Sequence, residues 1–408
     1  MKPVGPIPAG YETLNGELAV GGQTASQLVQ SAGTTPLFVY SSAHLDQRIA
    51  DLRAAMPDRL GINYAVKANP FAPVLGHMAT RVDGFDIASA GELAMVSDAG
   101  IDLSKVSFAG PGKRDSELDA AIRAGVTLNC ESEGEADRTL AIGQKLGLTP
   151  RIAIRVNPEF ELRGSGMKMG GGAKPFGVDA ERVPALAKHV IASGAEWRGL
   201  HIFTGSQALN SDAIIETQGN VLKLAGNLAD AIGRPLPKLN MGGGFGIPYF
   251  PNDDALDIAP IGAALGDMFG QLPDSLADTD LCIELGRYLV GEAGVYLTRI
   301  IDKKVSHGVI YLVTDGGLHH QLAASGNFGT VVRRNYPVAI ASRFDAEPSE
   351  EVNVVGCLCT PLDRLADKAH LPRAEVGDLV AVFCAGAYGA SASPSAFLGQ
   401  GPAAEILV

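Results

Sequence analysis

The chain has 408 residues, beyond the roughly 250–300 at which a single hydrophobic core stops growing, so two domains are expected. Apolar residues make up 46% of the chain and charged residues 19%, a composition that excludes a largely disordered protein. The formal net charge of −12 argues against nucleic acid or an anionic membrane as a main partner, and no apolar run reaches the roughly 18 residues that cross a bilayer.

The middle of the chain alternates short apolar runs with helix-like stretches of Ala, Leu and charged residues. Eight strands are predicted, at residues 62–66, 84–88, 106–109, 127–130, 151–156, 199–203, 238–241 and 281–285. Helices are predicted between them at residues 90–99, 115–124, 133–146, 183–193 and 213–232. This alternation indicates parallel pairing with right-handed crossovers, and eight such units match a (β/α)8 barrel. A doubly wound open sheet is the alternative, which eight evenly distributed strands disfavour.

The two ends of the chain contain strand-like runs with few helix patterns between them. Strand-like runs at residues 295–303, 309–314, 352–356 and 378–383 predict a β-rich domain after residue 290. The N-terminal run Leu37-Phe38-Val39-Tyr40 is also strand-like, and we expect it to pair with the C-terminal sheet. The predicted organisation is therefore a β domain built from residues 1–40 and 291–408, with the barrel at 41–290.

The first barrel strand ends in Tyr64-Ala65-Val66-Lys67. Active sites of such barrels lie at the carboxyl ends of the strands. A lysine there can be desolvated, which lowers the pKa of its amine and makes it a nucleophile toward an aldehyde. The alternative is an ordinary surface lysine at the barrel rim.

A glycine-rich turn, Gly242-Gly243-Gly244-Phe245-Gly246, follows the seventh predicted strand. Barrels commonly hold a phosphate in the loops after strands seven and eight, and glycines let backbone N–H groups approach an anion. An ordinary tight turn is the alternative. A second glycine cluster at residues 164–177 is longer than a turn needs and is interpreted as a mobile loop.

The eighth predicted strand ends in Glu284-Leu285-Gly286-Arg287. An acid and a guanidinium at the strand end can hold a ring nitrogen and a phosphate, although a simple salt bridge is an equal alternative. Further polar residues near the strand ends are Asp86, Ser89, Arg155, Asn157, His201 and Ser206. A lysine, a phosphate loop and an acid together suggest pyridoxal phosphate as the cofactor.

Seven motifs carry a family resemblance along nearly the whole chain. In chain order they are YAVKANP, GFDIASAGEL, GSQ, MGGGFG, ELGR, CTPLD and GAYG. Together they resemble the pyridoxal-phosphate-dependent ornithine/diaminopimelate decarboxylase family. The resemblance implies an alanine-racemase-type barrel with a β domain, and a homodimer whose active sites lie at the subunit interface. Separately, the five scattered cysteines give no disulfide framework, from which we expect a cytoplasmic protein.

The resemblance also implies roles for individual residues. Lys67 matches the lysine that holds the cofactor aldehyde as a Schiff base, Glu284 the carboxylate at the ring nitrogen, and Cys359 a proton donor from the partner subunit. The remaining matches are cofactor contacts: Asp86, Arg155, His201, Phe203, Ser206, Gly243, Gly244, Phe245, Gly246, Gly286, Arg287 and Tyr388. Thr360 and Asp363 match positions near the substrate, and no metal is expected.

Several positions depart from the family pattern. Phe203 stands where the family has a histidine that stacks on the cofactor ring, and His201 lies two places earlier, so which of them contacts the ring stays open. Thr360 replaces an acid, and the stretches around Gln321 and Gln400 lack the usual arginines. A buried charge without a partner is costly, so these losses disfavour a substrate with a charged distal group. The alternative is that Asp363, His319 or His320 supplies replacement charge.

The predicted function is therefore an amino-acid decarboxylase that prefers a masked or carrier-bound substrate. The pattern looks closer to family branches found with exosortase systems or acting on carrier-bound amino acids. Diaminopimelate decarboxylase proper, in lysine biosynthesis, is one alternative. A racemase of the same fold is another, which Glu284 disfavours because the related racemases have arginine at the ring nitrogen. A non-catalytic pyridoxal phosphate protein is the third, and the β domain argues against it.

Overall fold

The computed structural model of the chain describes residues 1–326 and 334–408. These divide into two compact units. The barrel unit comprises Ile49–Gly246 and Leu256–Gly286, and the β-rich unit comprises Met1–Arg48, Ile247–Ala255 and Arg287–Val408.

The N-terminal part of the chain is mostly short strands. Its elements are β1 (Glu12–Leu14), β2 (Glu17–Val20), β3 (Gln23–Thr24), α1 (Ala25–Ala32), β4 (Leu37–Tyr40) and α2 (Ser42–Ala55). Thr24 begins α1 with a capping box, in which its side chain accepts from the backbone N–H of Gln27. Gly33 ends the helix in the left-handed conformation.

The middle of the chain alternates strands and helices. Its elements are β5 (Gly61–Ala65), α3 (Ala72–Met78), β6 (Gly84–Ile87), α4 (Ala90–Asp98), β7 (Val106–Phe108), α5 (Asp115–Ala124), β8 (Thr127–Cys130), α6 (Glu133–Leu146), β9 (Arg151–Asn157), β10 (Met167–Lys168), β11 (Val178–Asp179), α7 (Val183–Ala192), β12 (Glu196–Ile202), β13 (Gly205–Ser206), α8 (Ser211–Ile232), β14 (Lys238–Gly243), α9 (Ala259–Phe269) and β15 (Asp280–Leu285). No helix within the two described ranges is long and apolar enough to span a membrane.

Eight of these strands close into a parallel barrel, which confirms the predicted fold and excludes the open sheet. The order around the barrel is β5, β6, β7, β8, β9, β12, β14 and β15, and β15 pairs with β5 to close it. All eight strands overlap the predicted runs. Strand β12 begins three residues before its predicted start, at Glu196, and its pairing with β9 contains an irregularity between Trp197 and Gly199. The predicted loop at 164–177 contains β10, which pairs antiparallel with β13.

The C-terminal part of the chain forms most of the β-rich unit. Its elements are α10 (Arg287–Val290), β16 (Gly294–Ser306), β17 (Val309–Thr314), β18 (Val338–Ile340), β19 (Glu350–Val355), β20 (Arg364–Leu371), β21 (Leu379–Val382) and β22 (Ala404–Leu407). The long strand β16 pairs with β17, β21 and β4. Its pairing with β4 confirms that the N-terminal run joins the C-terminal sheet. Strand β4 also pairs with β22, so it lies between two C-terminal strands.

Three of the C-terminal strands of this unit are not predicted by sequence analysis, and each has a physical reason. Strand β18 has only three residues. Strand β20 reads RLADKAHL, whose charged residues hide the alternation of buried and exposed positions. Strand β22 is recognisable only through its parallel partner β4, which is over 360 residues away in the sequence.

Candidate active site

Three predicted site residues meet at the carboxyl ends of the barrel strands. Lys67 lies in a single 3-10 turn, Val66–Ala68, that directly follows β5. Its Nζ is 3.9 Å from Oε1 of Glu284, at the end of β15, and 5.7 Å from the ring centroid of Phe203. The carboxylate is buried, whereas the lysine side chain is 46% exposed. An amine at the surface therefore lies above an acid in the barrel interior.

Glu284 is an ionised carboxylate in a buried position. Burial by itself would raise the pKa of this carboxyl group, but the contact with His201 and the charges of Lys67 and Arg155 outweigh burial and lower it. Its Oε2 is 3.1 Å from Nε2 of His201. The two atoms are not aligned for a hydrogen bond, so Oε2 has no hydrogen-bond partner among the described residues.

Asp86, at the end of β6, is a second buried acid in the barrel. Burial and the charge of Glu284 raise the pKa of its carboxyl group. Its Oδ1 accepts a hydrogen bond from the Ser107 hydroxyl and is 3.5 Å from the amide nitrogen of Asn240. Two acids in one barrel therefore have opposite tendencies to ionise.

Arg155, on β9, is held by a partner that sequence analysis missed. Its Nη1 donates to Oε1 of Glu131 at 2.9 Å, and its guanidinium lies 5.1 Å from the ring centroid of Phe176. Glu131 also accepts from the backbone N–H of Gly177. Glu131 directly follows β8, so its position one residue past a predicted strand was the available signal.

The glycine-rich turn after β14 packs closely against residues 205–208. Gly244 has a φ of +83°, and a Cβ atom there would lie 2.5 Å from the carbonyl oxygen of Gly205. The N–H of Ala208 donates to the carbonyl of Gly244, and the N–H of Gly246 donates to the carbonyl of Ala208. Beside this turn the buried Oγ of Ser206 has no hydrogen-bond partner within residues 1–326 and 334–408.

The other predicted residues of this turn and of the strand-eight end serve packing. Gly243 lies so close to the backbone of Glu284 that a side chain at residue 243 would overlap its carbonyl oxygen. Phe245 is buried and pairs with Ala208 in an isolated bridge. A Cβ atom at Gly286 would lie 2.9 Å from the Cβ of Ala68, in the turn that carries Lys67. Glycine at 286 thus allows the lysine turn to approach β15.

The β-rich unit holds the remaining two predicted cofactor contacts. Arg287 begins α10, and its Nη1 donates to the hydroxyl of Tyr249 at 2.7 Å. Its guanidinium lies 4.8 Å from the ring centroid of Tyr388, a residue with a φ of +58°. The arginine is therefore fixed between two tyrosines.

Cys359 is exposed in the loop between β19 and β20, and Thr360 beside it is half-buried. Asp363, in the same loop, is buried, and its two carboxylate oxygens accept from the backbone N–H groups of Leu318 and Leu358 at 2.7 and 2.9 Å. These bonds tie two loops together. They favour a structural role for Asp363 over the substrate contact expected from the sequence.

The two histidines proposed as replacement charges are buried. Nδ1 of His320 is 3.1 Å from the hydroxyl of Tyr296, and its Nε2 is 3.0 Å from the carbonyl of Gly401. A neutral imidazole satisfies both contacts, by accepting at Nδ1 and donating at Nε2. Burial and the neighbouring His319 lower the pKa of His320 to about 4, and burial also lowers the pKa of His319. Neither supplies a positive charge at neutral pH.

Comparison with known proteins gives one consistent family. The family model described as "Pyridoxal-dependent decarboxylase, pyridoxal binding domain" matches residues 42–291. The chain is 36% identical to L-glutamyl-[BtrI acyl-carrier protein] decarboxylase of Niallia circulans, over 91% of this chain and 88% of that protein. It is 33% identical to diaminopimelate decarboxylase of Archaeoglobus fulgidus, over 98% and 93%.

Solved structures give the same result. The crystal structure of diaminopimelate decarboxylase from Helicobacter pylori complexed with L-lysine is similar, with a TM-score of 0.81 and 26% sequence identity. The similarity covers 94% of each chain.

The environment of His320 predicts a pH-dependent stability. Because the pKa of His320 is lowered from its ordinary value to about 4 in the folded chain, the unfolded chain binds more protons between roughly pH 6.5 and pH 4. The free energy of unfolding should therefore fall as the pH falls through this window. We expect His320→Gln to weaken that dependence in denaturant titrations at several pH values.

The matched control is His370→Gln, at an exposed position of β20, which should keep the wild-type pH dependence. Equal slopes for the wild type and His320→Gln would show that the imidazole is not held neutral by the fold.

Proposed function

Because the chain belongs to the family of pyridoxal-dependent decarboxylases, we propose that it binds pyridoxal 5'-phosphate at Lys67 and uses it to decarboxylate an amino acid. One observation carries this proposal. The amine of Lys67 and the ionised carboxylate of Glu284 lie 3.9 Å apart at the carboxyl ends of the barrel strands. This pair supplies a nucleophile for an aldehyde and an anion for a protonated ring nitrogen.

Two unpartnered buried atoms support the fit of this cofactor. The Oε2 atom of Glu284 is an acceptor without a donor in the described part of the chain, and a protonated ring nitrogen would be such a donor. The Oγ atom of Ser206 also lacks a partner there, beside a glycine turn where no side chain blocks the backbone. A phosphate group would satisfy that hydroxyl.

Different residues of this chain would bind different parts of the cofactor. When bound, the cofactor supplies an electron-withdrawing ring that stabilises the negative charge left at Cα after loss of carbon dioxide. Lys67 would hold its aldehyde carbon, and Glu284 would keep the ring nitrogen protonated. Phe203, whose ring lies near Lys67, is the residue that we assign to the face of the ring. From the family resemblance, we assign Arg287 and Tyr388 to the phosphate.

We assign the final proton transfer to Cys359 of the partner subunit in a cytoplasmic homodimer. The thiol would donate a proton to Cα in place of the departed carboxylate. Exposure of Cys359 supports this assignment, since a thiol that serves another subunit must be accessible on its own chain.

We propose a substrate whose distal group is uncharged or linked to a carrier. Thr360 follows Cys359 where the family resemblance implies an acid, and His319 and His320 are neutral by burial. A charged distal group would therefore find few fixed partners, which is costly when buried. The relative that acts on glutamyl linked to an acyl-carrier protein supports this choice. Diaminopimelate is the second candidate, favoured by the similarity to diaminopimelate decarboxylases.

The first prediction concerns the cofactor lysine. Protein loaded with pyridoxal 5'-phosphate should absorb in the visible range, and borohydride reduction followed by peptide mapping should find the cofactor on Lys67. Lys67→Ala should lose both signals, because no other amine lies beside Glu284 among the described ion pairs. The control Lys174→Ala should keep them. A label on Lys168 or Lys174 would contradict the assignment.

The second prediction concerns the shared site. Lys67→Ala and Cys359→Ala should each be inactive as homodimers. After subunit exchange, half of the dimers are mixed and each has one intact site, so activity should recover to about a quarter of the wild-type value. Absence of recovery, with exchange verified by differential tagging, would mean that each site is complete within one chain.

The third prediction concerns the distal group. Free diaminopimelate, ornithine and lysine should each have kcat/KM below roughly 10⁴ M⁻¹s⁻¹, the lower end of the ordinary enzyme range. Glutamyl linked to an acyl-carrier protein should be decarboxylated faster. Carbon dioxide release measures both. An ordinary value for any of the three free amino acids would show that the pocket supplies charge that we have not identified.

A further inference from the structure

We propose that His201 is a positioning residue that favours the negative charge on Glu284 over a second buried acid, Asp86. This inference rests on the proposed function, because Glu284 is the carboxylate that we assign to the cofactor ring nitrogen. It replaces the sequence-based expectation that His201 itself contacts the cofactor.

The position of His201 in β12 supports this role. The strand lies between β9 and β14, and His201 is in register with Arg155 on one side and Asn240 on the other. Its side chain is 2% exposed, and Nε2 lies 3.1 Å from Oε2 of Glu284. Phe203, two residues further along the chain, lies near Lys67 instead. The imidazole therefore contacts the acid beneath the site, and the phenylalanine is the aromatic group near the lysine.

The neighbours of the two acids differ in charge. Asp86 interacts with the neutral side chains of Ser107, Asn63 and Asn240, and His201 also lowers the pKa of its carboxyl group. The direct contact of the imidazole, at 3.1 Å, is with Glu284. The titratable groups that interact with Glu284 are Lys67 after β5, Asp86 on β6, Glu92 on α4, Arg155 on β9, His201 on β12 and Cys282 on β15 itself.

Two buried carboxylates that share one environment do not both ionise without a large cost. Glu284 has a lowered pKa and Asp86 a raised one, in agreement with the contact to His201. Without the imidazole, Glu284 would lose its polar contact at 3.1 Å and keep the charges of Lys67 and Arg155. The charge would then be shared more evenly with Asp86, and a ring nitrogen above Glu284 would hold its proton less firmly.

The test compares two variants of His201 in the protein loaded with pyridoxal 5'-phosphate. His201→Leu removes the polar contact at similar size, and His201→Gln keeps a polar side chain at residue 201. The matched control, Ile202→Val, alters buried packing on the same strand next to His201. The visible absorbance of the resting protein is titrated between roughly pH 5 and pH 9, and kcat and KM are measured over the same range.

For His201→Leu we expect the acid limb of the kcat profile and the absorbance transition to move to higher pH by about one unit, and kcat at neutral pH to fall about tenfold. KM should change by less than about threefold. His201→Gln and Ile202→Val should follow the wild-type pH profile. Adding Asp86→Asn to His201→Leu should move the profile back, since the competing acid is removed; a merely structural role predicts no such reversal.

A folded His201→Leu protein with the wild-type absorbance titration and pH profile would overturn the inference. If His201→Leu does not fold, His201→Asn replaces it in the test, because its shorter side chain does not reach Glu284. The same shift of the pH profile to higher pH is expected. Wild-type protein that gains no visible absorbance from pyridoxal 5'-phosphate would instead overturn the proposed function. The two failures are thus distinguishable before any substrate is added.

Discussion

An ionised carboxylate inside a closed barrel is the constraint on which the rest of the site depends. Moving a charge out of water costs several kcal/mol even after relaxation of the protein, so Glu284 requires compensation from its neighbours. Closure of the barrel between β15 and β5 supplies it, because Glu284 pairs in register with Asn63 and Lys67 follows four residues later. The contact with His201 comes from β12, on the other side of β14. In an open sheet with these eight strands in chain order, β5 and β15 would lie at opposite edges, and Lys67 would be far from Glu284.

Glycines at the strand ends make this arrangement possible by allowing backbones to approach closely. Gly286 lets the turn of Lys67 pack on β15, and Gly244 packs on the carbonyl of Gly205. Larger residues at these positions would separate the glycine turn from Ser206 or the lysine from Glu284. The glycine content of the chain is in this sense part of the active-site geometry.

Within the β-rich unit, two residues that could have supplied charge instead stabilise the loops of that unit. Asp363 uses both carboxylate oxygens on backbone N–H groups, which holds the loop that carries Cys359 and Thr360. His320 satisfies both ring nitrogens as a neutral group. Asp363 and His320, which the sequence suggested as sources of charge, therefore use their polar atoms in hydrogen bonds within the unit.

The sequence by itself determined the barrel, the β-rich unit and the residues at the strand ends. Apolar runs, helix patterns and glycine turns are local signals, and they located all eight barrel strands and grouped Lys67, Glu284 and the glycine turn at the same ends. The tertiary structure alone decided the partners: Glu131 for Arg155, Leu318 and Leu358 for Asp363, and Glu284 for His201. Except for Leu358 and Asp363, these pairs join residues between 24 and 83 positions apart, so no local pattern encodes them. Ionisation follows from such long-range contacts, which is why the sequence could name two acids in the barrel but not that the pKa of one is lowered and that of the other raised.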